Sequence, residues 1–208
     1  MTMRVLSHSQ PSHPNRENQD QIEARHLQNA RLVALADGAG GQAGGALAAR
    51  LAVSTALDFL ERADDPFDLD TLRTAISLAD EAVEAHPDAG FSTLIVLACD
   101  DTRIAGASVG DSMALHIFPE SEVELSDKQR KRPPLGSGNC LATAFRAQVK
   151  EGEQLLVMSD GVFRFVESRL APICRESSDF DALPGLLALQ MRPNSELFDD
   201  WSAILIRF

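Results

Sequence analysis

Short apolar runs, each stopped by aspartate or glycine, are the strongest constraint this chain places on its fold. Leu32-Val33-Ala34-Leu35-Ala36 runs without a polar residue into Asp37 and Gly38. Ala107-Ser108-Val109-Gly110 runs into Asp111, and Leu155-Leu156-Val157-Met158-Ser159 into Asp160 and Gly161. Asp199 and Asp200 stand just before Trp201-Ser202 and the terminal run Ala203-Ile204-Leu205-Ile206. Runs of this length read as buried strands. A carboxylate at the end of such a strand sits on a rigid element and still faces a cleft. Several of them at one sheet edge repel each other and resist ionisation. A hard divalent cation removes that penalty, because Mg²⁺ and Mn²⁺ take carboxylate, carbonyl and water oxygens.

The remaining pattern predicts an α+β chain. Residues 3–7 form a first short strand and residues 8–20, rich in His, Ser, Pro and Asn, a loop. After the strand at 31–36 and a glycine-rich turn at 38–45, a helix spans 46–63 with Leu47, Leu51, Val53, Ala56 and Leu60 inside. A second helix spans 69–85, burying Leu72, Ile76, Leu78, Ala79 and Val83. Strand pairs follow at 92–99 with 102–109 and at 112–118 with 121–125, and two more strands, linked by Glu151-Gly152-Glu153, at 141–149 and 154–159. Residues 128–139 form an exposed loop, 161–170 and 181–191 short helices, and 202–207 the last strand. Helices and hairpin-spaced strands in separate stretches indicate two packed, mostly antiparallel sheets flanked by helices, an α-β-β-α sandwich. No internal repeat or linker divides the 208 residues, so one domain over 1–208 is expected.

Charge excludes whole classes of partner. With 31 acidic against 19 basic residues the formal net charge is −12, which argues against nucleic acid and anionic membranes. Tyr is absent and Trp occurs once, leaving no aromatic platform for single-stranded nucleic acid. Cys99, Cys140 and Cys174 form no C-x-x-C pair, so neither a disulfide framework nor a zinc site is expected. Residues 1–18 carry no apolar signal-peptide core, and no stretch is long enough to span a membrane. A cytoplasmic protein is the expectation.

The words around these aspartates resemble those of the metal-dependent protein serine/threonine phosphatases, the PPM or type 2C family, in a compact bacterial form. Asn18-Gln19-Asp20 resembles the family's Asn-Glu-Asp, and Asp37-Gly38-Ala39-Gly40-Gly41 its Asp-Gly-x-Gly-Gly. Phe91-Ser92-Thr93 resembles its Gly-Thr-Thr. Gly110-Asp111-Ser112, Ser159-Asp160-Gly161 and Asp199-Asp200-Trp201-Ser202 follow in the family's order. The resemblance runs from residue 8 to 208. It implies a dinuclear Mn²⁺ or Mg²⁺ centre that activates a water to hydrolyse phosphoserine or phosphothreonine on a signalling protein, the target of a Ser/Thr kinase. Asp37 would bridge two ions, the Gly38 carbonyl would bind one, and Asp160 and Asp199 would complete the first. Asp20 would act beside the second through water, and Asp111 would join Asp160 at a third, weaker ion.

The chain also departs from the family. The Arg that binds phosphate in relatives would fall at Asn15, with Arg16 one residue nearer Asp20, so Arg16 is the candidate for that role. Gln19 stands for the usual Glu. Ala39 stands where animal members carry a His, and residues 112–159 leave little room for the usual flap. Asp200 is expected to enter or cap the last strand rather than bind metal. The glycines at 40, 41, 44 and 45 fit tight turns better than a phosphate cradle. His13 reads as a solvated loop residue. Lys128-Gln129-Arg130-Lys131-Arg132 is either a solvated loop or a docking patch for an acidic or phosphorylated partner. Ser112, Ser159 and Ser202 lack the setting of a serine nucleophile. The runner-up function is a catalytically weak or inactive relative that only binds a phosphoprotein, which Gln19 favours and the retained aspartates oppose.

Overall fold

The computed structural model describes residues 3–39, 44–176, 185, 186, 197 and 199–208, with the side chains of 165–168 and 176 left aside. Two five-stranded sheets lie face to face. The first has the order β1 (Arg4–Gln10), β10 (Trp201–Arg207), β9 (Gln154–Met158), β6 (Met113–Ile117), β7 (Glu122–Glu124). The second has the order β2 (Asp20–His26), β3 (Arg31–Asp37), β4 (Leu94–Cys99), β5 (Arg103–Val109), β8 (Thr143–Gln148). Every strand pair is antiparallel. Helices α1 (Gly45–Leu60) and α2 (Leu69–Glu84) cover the outer face of the second sheet, and α3 (Asp160–Glu176) covers the first. The four-layer sandwich expected from the pattern is thus present.

Covering both faces of each sheet explains the unbroken apolar runs. Along β3, Leu32, Ala34 and Ala36 face the helices, while Val33 and Leu35 face the other sheet. In β9, Leu156 and Met158 point to α3, and Leu155 and Val157 into the space between the sheets. A strand wet on one face would alternate instead.

The buried face of α1 includes Val53, Ala56 and Leu60 as expected but is shifted toward the alanines. Ala48, Ala49, Ala52 and Ala56 are fully buried beside Leu57 and Leu60, whereas Leu47 and Leu51 are only half-buried. The helix packs on Ala34 and Ala36 of β3, and small side chains on both surfaces permit a close approach. Its N-cap, Gly44, has φ +84°, and a Cβ there would lie 2.1 Å from the Asp88 carbonyl oxygen. Only glycine fits that corner. In α2 the Asp68 side chain caps the helix by accepting from the Thr71 amide at 2.8 Å.

Three boundaries need correction. The segment expected as loop over 8–20 is strand as far as Gln10, pairing with β10. A strand, β2, occupies 20–26 and pairs with β3 from Asp20↔Asp37 to His26↔Arg31. It was not legible because it is an edge strand of Asp, Gln, Glu and Arg alternating with Ile22 and Ala24, with no apolar run. Helix α3 runs past Pro172 to Glu176, beyond the expected end at 170. The helix expected over 181–191 lies almost wholly outside the described residues.

Candidate active site

The carboxyl ends of strands from both sheets meet at one edge of the sandwich. A cleft of about 370 Å³ opens there, lined by Asp37, Asp111, Asp160, Asp199 and Asp200, together with Gln19, Gly38, Thr93, Lys131 and Arg164. Asp37 closes β3 and Asp111 follows β5 of one sheet. Asp160 follows β9, and Asp199 and Asp200 precede β10, of the other. Residues far apart in sequence therefore share one wall because two sheets end together.

The backbone around Asp37 is fixed by short polar contacts. Its amide donates to Thr93 Oγ1 at 2.9 Å, and its carbonyl accepts from the Thr93 amide and from Ser92 Oγ, each at 2.9 Å. Thr93 Oγ1 in turn meets Ser112 Oγ at 2.8 Å, tying the turn after β3 to the one after β5. Gly38 donates its amide to the Gln19 carbonyl at 3.1 Å. A Cβ at Gly38 would lie 2.3 Å from the Gly45 carbonyl oxygen, so the loop can close over the start of α1 only with glycine.

Asp20 lies behind this wall, opposite Asp37 in the strand pair. Its Oδ2 accepts from Ser159 Oγ at 2.7 Å, and Ser159 Oγ accepts from the Ser202 amide at 2.9 Å. Ser202 Oγ continues to Ser9 Oγ at 2.7 Å, which accepts from Asn18 Nδ2 at 2.6 Å. The serines beside the acidic motifs thus hold the carboxylates and strands in place, which accounts for them without nucleophilic chemistry. Asp20 Oδ1 is buried with no hydrogen-bond partner, and a buried, unpaired carboxylate oxygen is costly.

Charge crowding shows in the acidities. Burial pushes the Asp37 carboxyl up to about 10, reinforced by the charges of Asp20, Asp160, Asp199 and Asp111. Asp20 is raised to about 7, first by burial. Asp160 is raised by burial too, while neighbouring Arg164 pulls it back. Carboxyls that hold protons against neutral pH, an oxygen with no partner and an all-oxygen donor set fit a hard divalent cation.

Two cations in the cleft were not anticipated. Arg164 Nη2 lies 2.6 Å from Asp160 Oδ2 and 3.9 Å from Asp111 Oδ2. Lys131 Nζ lies 3.2 Å from Asp111 Oδ2. Among the described residues, no three acidic, imidazole or thiol side chains stand together as a ready ion site. The sequence signal for Arg164 was its spacing: four residues after Asp160 on a helix places it on the same face.

Other expected residues fall outside the cleft. Arg16 is exposed on the loop between β1 and β2, its amide donating to the His13 carbonyl at 3.0 Å. His13 is exposed as well, its Nδ1 accepting from the Asn15 amide. That loop is anchored by Asp200, whose Oδ1 accepts from the Ser12 amide at 2.6 Å and Oδ2 from the Gln19 amide at 2.8 Å. Asp200 was expected to cap a strand; it clamps a loop from 181 residues away. Gly40 and Gly41 lie outside the described residues.

The basic run 128–132 is exposed at its four cations but is not a free loop. The Arg130 carbonyl accepts from the Gly110 amide at 2.9 Å, and Gln129 Nε2 donates to the Ser112 carbonyl at 2.5 Å. Further on, buried Asp80 of α2 accepts from the amides of Gly136, Ser137, Gly138 and Cys140. All three cysteines are free, and Cys99 is the buried core thiol expected, its pKa pushed up to about 12 by burial. No helix among the described residues is long and apolar enough to cross a membrane.

Comparison with known proteins gives this geometry a context. Residues 8–183 match the family model for protein phosphatase 2C. No curated protein matches the chain. Among solved structures, PppA, a key regulatory component of T6SS in Pseudomonas aeruginosa, is 21% identical with a TM-score of 0.77, covering 100% of this chain and 98% of that one. The serine/threonine phosphatase of S. agalactiae is 19% identical with a TM-score of 0.82 over 99% of both chains. The catalytic domain of the serine/threonine protein phosphatase PstP, in complex with two manganese ions, is 19% identical with a TM-score of 0.78, covering 99% of this chain and 97% of that one. At such identities the likeness is one of fold.

Proposed function

Given that the chain belongs to the protein phosphatase 2C family, we propose that it hydrolyses phosphoserine and phosphothreonine on a signalling protein, using two Mn²⁺ or Mg²⁺ ions. The observation that carries this reading is the convergence of Asp37, Asp111, Asp160 and Asp199, from the ends of both sheets, on one cleft. A fold has no structural use for so many like charges at one edge, and burial first, with those charges second, pushes the Asp37 carboxyl up to about 10. Divalent ions bound there supply positive charge for the phosphoryl oxygens and an acidified water as nucleophile.

In this reading the chain's residues have distinct tasks. Asp37 and the Gly38 carbonyl, locked by Ser92, Thr93 and Gln19, hold the ions at the inner end of the cleft. Asp160 and Asp199 complete the donor set from the other sheet. Asp20, buried behind the wall with one unpartnered oxygen, would act beside the second ion through water. Arg16 is the candidate phosphate-binding residue, on the loop that Asp200 anchors. The substrate is a phosphoprotein marked by a Ser/Thr kinase, in a cytoplasmic setting.

A second reading, a phosphoprotein-binding module with weak or no turnover, gains one specific observation: Arg164 and Lys131 already pair with Asp160 and Asp111. The two are separated by hydrolysis of p-nitrophenyl phosphate and of pSer, pThr and pTyr peptides, with Mn²⁺ and after metal stripping in EDTA. Metal-dependent turnover of pSer and pThr peptides is expected. Full activity in excess chelator would rule out the metal-dependent mechanism, and metal-independent binding without turnover would favour the second reading.

A further inference from the structure

We propose that Arg164 and Lys131 are built-in counterions that fill the outer cation position beside Asp111, so that the centre takes two divalent ions and excludes a third. The proposal rests on the metal-dependent reading above and departs from the third ion that the family resemblance implies at Asp111 and Asp160.

The geometry points to substitution. One guanidinium nitrogen, Arg164 Nη2, stands 2.6 Å from Asp160 Oδ2 and faces Asp111 Oδ2 at the longer distance of 3.9 Å, placing its charge between the two carboxylates. Lys131 Nζ completes the charge balance of Asp111 at 3.2 Å. Arg164 is directed there by the helix, since residues four apart on α3 share a face. Lys131 is directed there by its neighbours. The Arg130 carbonyl is bonded to Gly110, immediately before Asp111, and Gln129 to the carbonyl of Ser112, immediately after it. The carboxylate and its ammonium are therefore carried on two segments stitched together on either side of the pair.

The inner end of the cleft shows the opposite arrangement. Asp37 is faced by the charges of Asp20, Asp160, Asp199 and Asp111, and no ion pair to Asp20 or Asp37 is present among the described residues. Divalent ions are needed where carboxylates face only each other. Where two side-chain cations are already in contact, a further divalent ion meets repulsion at short range and has to displace them.

The test counts ions rather than activity. Mn²⁺ binding to the metal-stripped full chain is followed by electron paramagnetic resonance of free Mn²⁺ and by calorimetry. The native protein, the double variant Lys131→Ala/Arg164→Ala and the single variant Arg164→Lys are compared. Lys131 and Arg164 side chains are 71% and 54% exposed, so their truncation opens no core cavity. Circular dichroism confirms that each variant is folded. Two ions are expected for the native protein and for Arg164→Lys, and three for the double variant. Its third event should be at least about tenfold tighter than any residual binding by the native protein, as expected when two close like charges are removed. Three ions in the native protein overturn the proposal, and so does a folded double variant that stays at two; both leave the metal-dependent reading intact. Fewer than two ions in the native protein overturn that reading itself and the proposal with it.

Discussion

Replacing Asp37 by asparagine should stabilise the metal-free protein at alkaline pH while abolishing hydrolysis. In the fold, burial first and four neighbouring aspartates second push the Asp37 carboxyl from 3.8 up to about 10. The unfolded chain releases that proton near 3.8, so the folded state binds it more tightly. The group's contribution to stability is therefore fullest below pH 3.8 and falls as the pH rises toward 10. At about 1.4 kcal/mol per pH unit, the interval from 3.8 to pH 8 corresponds to about 6 kcal/mol. Part of this is mutual repulsion with Asp20, itself raised to about 7 chiefly by burial. Assigning half to Asp37 leaves about 3 kcal/mol. Asparagine keeps the shape, carries no charge, and its amide donates to Asp160 as the protonated carboxyl of Asp37 does. At about 2–4 °C per kcal/mol for a chain of this size, Asp37→Asn should melt about 6–12 °C above the native protein in excess EDTA at pH 8. Near pH 4 the difference should shrink to about 2 °C or less, because that pH lies only about 0.2 above the unfolded-state pKa and little of the linkage remains. With saturating Mn²⁺ the order should reverse, since ions that bind only the folded state stabilise the native protein and the variant has lost a ligand charge. The readouts are thermal unfolding by circular dichroism and p-nitrophenyl phosphate turnover. A variant that melts at or below the native temperature in EDTA at pH 8 would refute the electrostatic argument, and turnover near the native rate would refute the ligand assignment.

Three further outcomes follow from the same structure. Asp200→Ala leaves the amides of Ser12 and Gln19 without their carboxylate. It should destabilise the protein by about 2–4 kcal/mol, read by urea unfolding, and a change under about 0.5 kcal/mol would mean that the clamp is not needed to hold the loop. Arg16→Ala should raise KM for a phosphopeptide about tenfold with metal affinity unchanged, as for loss of a charge-assisted phosphate contact; an unaltered KM would leave phosphate to the metal centre alone. Neutralising Lys128, Arg130 and Arg132, all exposed beside the cleft, should slow hydrolysis of a protein substrate and flatten its salt dependence while sparing p-nitrophenyl phosphate, because exposed charges steer a large acidic partner and contribute little to distant chemistry. Equal loss on both substrates would place the loop within the catalytic architecture.

Local pattern alone determined the parts of this protein whose cause is local. Four or five apolar residues in a row bounded by polar or turn residues, as in β9 and β3, read as short strands with both faces covered, and periodicity marked α1 and α2. The aspartates at the ends of those runs were legible as one acidic set for the same reason, since a strand end fixes where a side chain emerges. What the sequence did not reveal depends on partners far along the chain. The edge strand β2 exists because β3 offers it a pairing register, and its own polar residues carry no strand signal. The inward face of α1 takes in Ala48, Ala49 and Ala52 beside Leu57 and Leu60, where β3 presents Ala34 and Ala36 to it. Asp200 reads as a strand cap until the fold brings Ser12 and Gln19 against it. The basic run reads as a solvated loop until Gly110 and Ser112 are found bonded to it, aiming Lys131 at Asp111. Composition and spacing set which charges the chain carries and on which elements. Only the face-to-face packing of two sheets, ending at one edge, decided that carboxylates from both would share a cleft, and that two of them would meet cations from α3 and from the 128–132 run.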